Sequence, residues 1–258
     1  MSEYQTLVYK SADRVAFIGL NRPEVMNAIN SDMCFELRRA IDCATADTNI
    51  RVIILYGEGR CFSAGGDLKA KESAPVDQIL DQVYKPSLLS VFESTKPVIG
   101  AVHGPVIGIA SALALSCDLL VMADDAYLSE PFVGLGLIPD GGVSWHLVRQ
   151  CGRKRAYEII VDGKTLSAVE CADLGIANRI TAADQLMPEV QSWAEELAVK
   201  PPLAMRYAKQ ALNAAMTMGL PESMSLEAKL QKMVADSGEA KEGLEAFLEK
   251  RSPDYGNQ

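Results

Sequence analysis

Along the first half of the chain, apolar and polar positions follow two periods in turn. "TLVYKSADRVAFIGLN" (6–21) alternates about a polar centre, which predicts two short strands joined as a hairpin. "RPEVMNAIN" (22–30) carries Pro and two Asn and reads as a loop. In "DMCFELRRAIDCATAD", Met33, Leu37, Ile41 and Ala44 recur at helical spacing, with Ser31 placed as the cap. "IRVIILYG" is continuously apolar, the pattern of a strand buried on both faces. "KPVIGAVHG" and "CDLLVMADD" predict two more strands, and "VIGIASALALS" between them a helix of small residues. Strand, helix and strand with crossover-length connections define an α/β class with parallel pairing.

The pattern changes after Ala126. "YLSEPFVGLGLIPDGG" is rich in Gly and Pro and reads as a long shaped loop. "VSWHLVRQCG" and "KRAYEIIVDG" read as two helices ended by Gly152 and Gly163. "TLSAVECADLG" is a third, capped by Thr165 or Ser167. From Asp184 to Arg251 the reading is helical, broken at Pro201-Pro202 and at Pro221. The division is an α/β core over 1–195 and a helical region over 196–258.

Composition narrows the functional classes. Of 258 residues 48% are hydrophobic and 23% charged, the balance of a globular protein, and the net charge is −9. No basic block stands out, which argues against nucleic acid or an anionic membrane surface as partner. The six cysteines form no C-x-x-C pair and there are only two histidines, so a Cys/His metal site has no support. No apolar run reaches the roughly 18 residues of a membrane span. "MSEYQTLVYK" has no apolar signal core, so a reducing cytoplasm is the expected location.

Five segments, "NRPEVMNAIN", "CFSAGGDLK", "KPVIGAVHGPVIGIASALALSCDLLVMADD", "GLIPDGG" and "LGIANRI", together resemble the crotonase, or enoyl-CoA hydratase/isomerase, family. They stand in the family's order and cover essentially the whole chain. The resemblance implies a spiral of ββα units with a C-terminal helical trimerisation region. It also implies trimers or hexamers, and acyl-CoA thioesters as substrates. No cofactor is implied, because coenzyme A is part of the substrate.

Chemistry beside a thioester carbonyl requires that the charge developing on its oxygen be held. Preorganised backbone N–H groups do this, each worth roughly 3–4 kcal/mol in favourable cases. Gly65 and Gly66 in "SAGGD" allow the close backbone approach this needs. By the family match the donors are the N–H of Gly66 and that of Ile109, in the first turn of a helix whose dipole adds positive potential. The family usually has Gly where this chain has Ile109. Met26, Asn27 and Ala28, with Ala64, Gly65, Asp67 and Leu68, would line the CoA moiety, and Phe132 and Ile109 the acyl group. Val25 stands where the family often has Lys or Arg, leaving Arg22 or Lys209 as candidate phosphate contacts. The acyl pocket would be closed by the segment 71–86 and the C-terminal helices.

Family hydratases deliver water with two glutamates. Here their positions hold Ala112 and Phe132, which can neither activate water nor protonate carbon. Asp140 is the carboxylate left in the right loop, and several family isomerases carry an aspartate there within "IPD-x-GG", while Ser144-Trp145 also matches that subgroup. A double-bond shift needs one base. The resemblance therefore favours an enoyl-CoA isomerase with Asp140 as base. Hydration, another CoA-ester reaction and non-catalytic acyl-CoA binding are the alternatives. Pro-Asp-Gly is also a plain turn signal. Glu130, two residues before Phe132, is the rival acid and is expected to point away from the pocket if the segment is extended. His103 is expected in a structural hydrogen bond and His146 on the surface or in the core. The absence of a G-x-S-x-G elbow argues against serine hydrolysis.

Overall fold

The computed structural model describes residues 4–70 and 74–256, so Lys71–Ser73 of the expected acyl-pocket segment lie outside it. The hairpin forms as expected, β1 (Leu7–Ala12) antiparallel to β2 (Val15–Leu20). β3 (Val52–Gly57), β4 (Val98–Val102), β6 (Leu119–Ala123) and β9 (Arg179–Thr181) then add in parallel, giving a sheet ordered β1-β2-β3-β4-β6-β9. Ile53, Ile54 and Leu55 are fully buried, as a strand covered on both faces requires.

A second sheet holds β5 (Pro105–Ile107), β7 (Tyr127–Ser129) and β8 (Thr165–Ser167). Each strand pair is therefore split between layers: β4 and β6 enter the large sheet, and their successors β5 and β7 enter the small one. The spiral extends backward by single bridges, Ser63 to Val106 and Ile29 to Gly66.

Helix α1 (Ser31–Ala46) packs on β1 and β2. Its cap is Asn30, whose side chain accepts from Met33 N, not Ser31, which is already the first helical residue. α2 (Val76–Ile79) and α3 (Lys85–Glu93) are joined by one π turn, Leu80–Tyr84. α4 is confined to Ile109–Leu115, because the first residues of "VIGIASALALS" pair as β5. The two helices expected after the Gly-rich loop form one element, α5 (Val143–Asp162), bent at Gly152, where φ is 74°. α6 (Ala168–Asp173) starts at Ser167 in a capping box with Glu170, while Thr165 is in β8.

α7 (Leu186–Ala198) lies along β2, β3, β4 and β6. α8 (Pro202–Ala215), α9 (Leu220–Ala235) and α10 (Gly238–Glu249) complete the chain. The helical run does break ahead of Pro221, between Ala215 and Leu220, and Pro221 itself sits in the first turn of α9, where a missing N–H costs nothing. No described helix is long and apolar enough to cross a membrane.

Candidate active site

The loop before α1 is shaped by its own polar groups. Met26 and Asn27 both take left-handed backbone angles, φ 56° and 54°. Buried Asn27 donates from Nδ2 to the carbonyls of Glu58 (2.8 Å) and Cys61 (2.9 Å), and its Oδ1 accepts from Arg22 N. Ala64 N donates to Met26 O, and Ser63 Oγ to Asn27 O. These bonds bring Met26 and Ala28 beside Ala64–Asp67, as the sequence suggested for one binding surface. Leu68 is 83% exposed and stands out at its rim.

Gly65 is forced. Its φ is +97°, and a Cβ there would lie 2.5 Å from the Ile107 carbonyl oxygen. The bridge to Ile29 uses the atoms flanking Gly66: Ile29 N donates to Gly65 O, and Asp67 N to Ile29 O. Strand alternation therefore turns the N–H of Gly66 the other way. No described residue accepts it. Nor does any accept the N–H of Ile109, an orphan of the first helical turn. α4 is only seven residues long, so these N–H groups count for more here than its dipole. A Cβ on Gly66 would be 3.8 Å from Ile109 Cγ2, so the two residues are neighbours.

The other residues converge on Ile109. A Cβ on Gly108 would touch the Phe132 ring at 3.4 Å. One on Gly141, the residue after Asp140, would lie 2.3 Å from Ile109 Cδ1 and 2.8 Å from Ala112 Cβ. The turn carrying Asp140 thus presses on Ile109 and on Ala112, one of the two positions where family hydratases have glutamate. Behind Ile109 lies a closed apolar void of about 10 Å³ between Met33, Leu37, Tyr84, Leu88 and Leu113.

Asp140 is partly buried, and its Oδ1 is closed off from solvent without a hydrogen-bond partner. Burial raises its proton affinity against a weaker opposing bond from its own backbone. Glu130 is fully buried, with neither carboxyl oxygen hydrogen-bonded. Burial pushes it up to about 8, the Ser111 hydroxyl offsets this in part, and nearby Asp140 adds to the rise. That hydroxyl is itself committed to Val106 O at 3.1 Å.

Both candidate phosphate contacts are occupied. Arg22 pairs with Asp67 at 2.9 Å and donates to Ala28 O, stitching the loop. Burial opposes the charge on Asp67, but Arg22 and two backbone N–H groups outweigh it and hold the carboxyl below its usual range. Arg22, Asp67 and Lys69 border an open cleft of about 510 Å³. Lys209 is elsewhere, bound to Asp118 at 2.8 Å. His103 bonds Gly59 O at 3.0 Å, and buried His146 packs on the rings of Phe92 and Trp145.

The sequence profile described as "Enoyl-CoA hydratase/isomerase" matches residues 10–258. A Rhodobacter capsulatus protein described as "Probable enoyl-CoA hydratase" is 35% identical, over 98% of each chain. A solved structure of an enoyl-CoA hydratase subunit I from Geobacillus kaustophilus superimposes with TM-score 0.94 at 36% identity, covering 100% of both chains. An enoyl-CoA hydratase from Bacillus anthracis gives 0.92 at 29%, covering 98% of this chain and 100% of that one. With this fold, this loop geometry and these likenesses, the chain belongs to the enoyl-CoA hydratase/isomerase (crotonase) family.

Proposed function

We propose that the protein is an enoyl-CoA isomerase that shifts a double bond with Asp140 as its single base. The thioester oxygen lies between the N–H groups of Gly66 and Ile109. Asp140 removes a C2 proton from a 3-enoyl-CoA, the dienolate charge is held by the two N–H groups, and the same carboxyl returns the proton to C4. Atoms and charge balance, and nothing is consumed. No cofactor beyond the substrate's own coenzyme A takes part. The reading rests on one observation above all: Asp140 has an unpartnered buried oxygen and raised proton affinity, on a turn pressed against Ile109 and Ala112.

Met26, Ala28, Ala64, Gly65, Asp67 and Leu68 bind the CoA moiety in this reading, and Ile109 and Phe132 border the acyl group. Residues 196–258 are read as the oligomerisation region of a cytoplasmic trimer or hexamer, supported by the exposure of Leu212, Leu220, Met224, Leu244 and Phe247. A second reading, hydration, is favoured by the names of the relatives and opposed by Ala112 and Phe132.

The test is turnover of 2-enoyl- and 3-enoyl-CoA esters in deuterated water by wild type and Asp140→Asn. Deuterated isomer that falls by about 10²–10⁴-fold in the variant supports the one-base reading. Addition of water to crotonyl-CoA supports the second. Saturable binding without product on any ester leaves a binding protein.

A further inference from the structure

Buried polar side-chain atoms nearly always have partners. Among the described residues three do not, and they belong to two side chains: Oε1 and Oε2 of Glu130, and Oδ1 of Asp140. Glu130 stands just beyond β7, where the chain enters the turn leading to Asp140. The groups around it offer no counter-charge. From α4, Ser111 gives its hydroxyl to Val106 O. From β8, Thr165 bonds Ser129 at 3.4 Å. The approach of Gly163 is to the Glu130 backbone. No described cation is ion-paired with Glu130, and Asp140 is the charged group that acts on it. β7 sets Glu130 next to Gly108, and the turn carrying Asp140 sits on Ile109 and Ala112, so two carboxylates without a counter-charge share one end of α4, which is strongly unfavourable if both are ionised. One shared proton removes the conflict, as in other paired acids.

We propose that Glu130 is a positioning residue for Asp140: the two form a buried carboxyl pair holding a single proton, carried by Glu130 and hydrogen-bonded, directly or through one water, to Asp140 Oδ1. This rests on the reading of Asp140 as the base. Glu130 is the proton's seat because it is wholly closed off, whereas Asp140 is partly open. The proton tethers one oxygen of Asp140 and leaves the other for substrate. It also holds the pair at one negative charge before proton transfer and lets it become neutral as Asp140 takes the C2 proton and the dienolate forms. Loss of that proton at alkaline pH puts a second charge beside the developing anion, so the rate falls.

Two measurements test this. In the first, carboxyl groups of ¹³C-labelled glutamate are titrated by NMR in wild type, Glu130→Gln and Asp140→Asn. One glutamate should stay protonated through neutral pH, be missing in Glu130→Gln, and titrate lower in Asp140→Asn. In the second, the pH profile of kcat is measured. Wild type should show an alkaline limb that Glu130→Gln lacks, with activity at neutral pH retained to within about threefold, since Gln can still donate to Oδ1. Glu130→Ala, which removes the tether, should lose about tenfold or more in kcat with KM little changed. All glutamates titrating near their ordinary value, or an alkaline limb unchanged in Glu130→Gln, would overturn the proposal. Protonated Glu130 in a protein that isomerises no ester would sink the reading of function and leave the carboxyl pair supported.

Discussion

Gly141 and Ile109 touch so closely that a Cβ on Gly141 would lie 2.3 Å from Ile109 Cδ1. Gly141 also sits at φ +61° and is followed by Gly142 at +95°. The loop bearing Asp140 is therefore seated on the residue whose N–H is the proposed oxyanion donor. In the proposed mechanism one contact, a glycine against a branched side chain, holds base and donor in register. Gly141→Ala should cost about 1–3 kcal/mol for backbone strain alone, with the collision added. A displaced Asp140 should lower kcat by up to about 10²-fold. The double variant with Ile109→Ala should recover part of the loss in a double-mutant cycle, because it removes the collision but not the strain. Simple additivity of the two would show that the contact does not seat the loop.

Ala112→Glu follows from the same geometry. Ala112 is fully buried, and its Cβ is 2.8 Å from where a Gly141 Cβ would be. A glutamate there has no room and no partner. Restoring both family glutamates, at Ala112 and Phe132, should therefore not create a hydratase. It should lower the unfolding midpoint, by about 3 kcal/mol or more, through overpacking and an unpaired buried acid. Efficient hydration of crotonyl-CoA by the double variant would contradict this.

The local periods carried the large sheet well, because a buried strand such as β3 has to be apolar throughout. Short elements fared worse. β5 is three residues long and runs into α4 through Gly108, so its apolar residues blend with the helix that follows. Asn30 and Ser31 are both good caps, and only the backbone shows which one precedes the first turn. Asp140 was visible because a family motif frames it. Glu130 was legible only as a rival acid, because the local pattern says nothing of its complete burial at the end of β7 or of how the turn places Asp140. Lys209 sits 91 residues from Asp118, a pairing with no local signal.

Asn27 holds the site's framework with three bonds, to Glu58 O, Cys61 O and Arg22 N. Asn27→Ala leaves three backbone groups unpaired in a buried loop. It should cost at least about 3 kcal/mol in denaturant unfolding, and CoA-ester affinity should fall with the loss of loop shape. Asn27→Asp keeps the acceptor but turns a negative oxygen on two carbonyls, so it should fare no better. Wild-type stability in both would mean that the bonds from Ser63, Ala64 and Arg22 hold the loop without Asn27.

His146 makes stability depend on pH on the acid side. Burial first, and Arg149 second, depress its folded-state value to about 4, so it folds neutral. Below the ordinary histidine value the unfolded chain takes up a proton that the folded chain refuses. Stability is therefore complete above about 6.5 and is lost as pH falls toward 4, by up to about 3 kcal/mol. His146→Phe should flatten this window in denaturant titrations, and an unchanged slope would show that His146 is protonated when folded.

Glu130 acts in the opposite sense. Its folded-state value is raised to about 8, above the 4.5 of an unfolded glutamate. Below 4.5 both states are protonated and nothing is lost. As pH rises, the unfolded chain ionises first, so the folded state binds the extra proton and stability falls until Glu130 itself ionises near 8. The fall is about 1.4 kcal/mol per pH unit across that window. Glu130→Gln cannot release a proton in either state and should lack this slope. Wild type and variant should therefore be closest in stability at acid pH, with the variant gaining steadily toward alkaline pH. Urea unfolding at several pH values reads the difference directly, without substrate. Parallel curves for the two proteins would place Glu130 ionised in the folded state and would remove the proton from the pair.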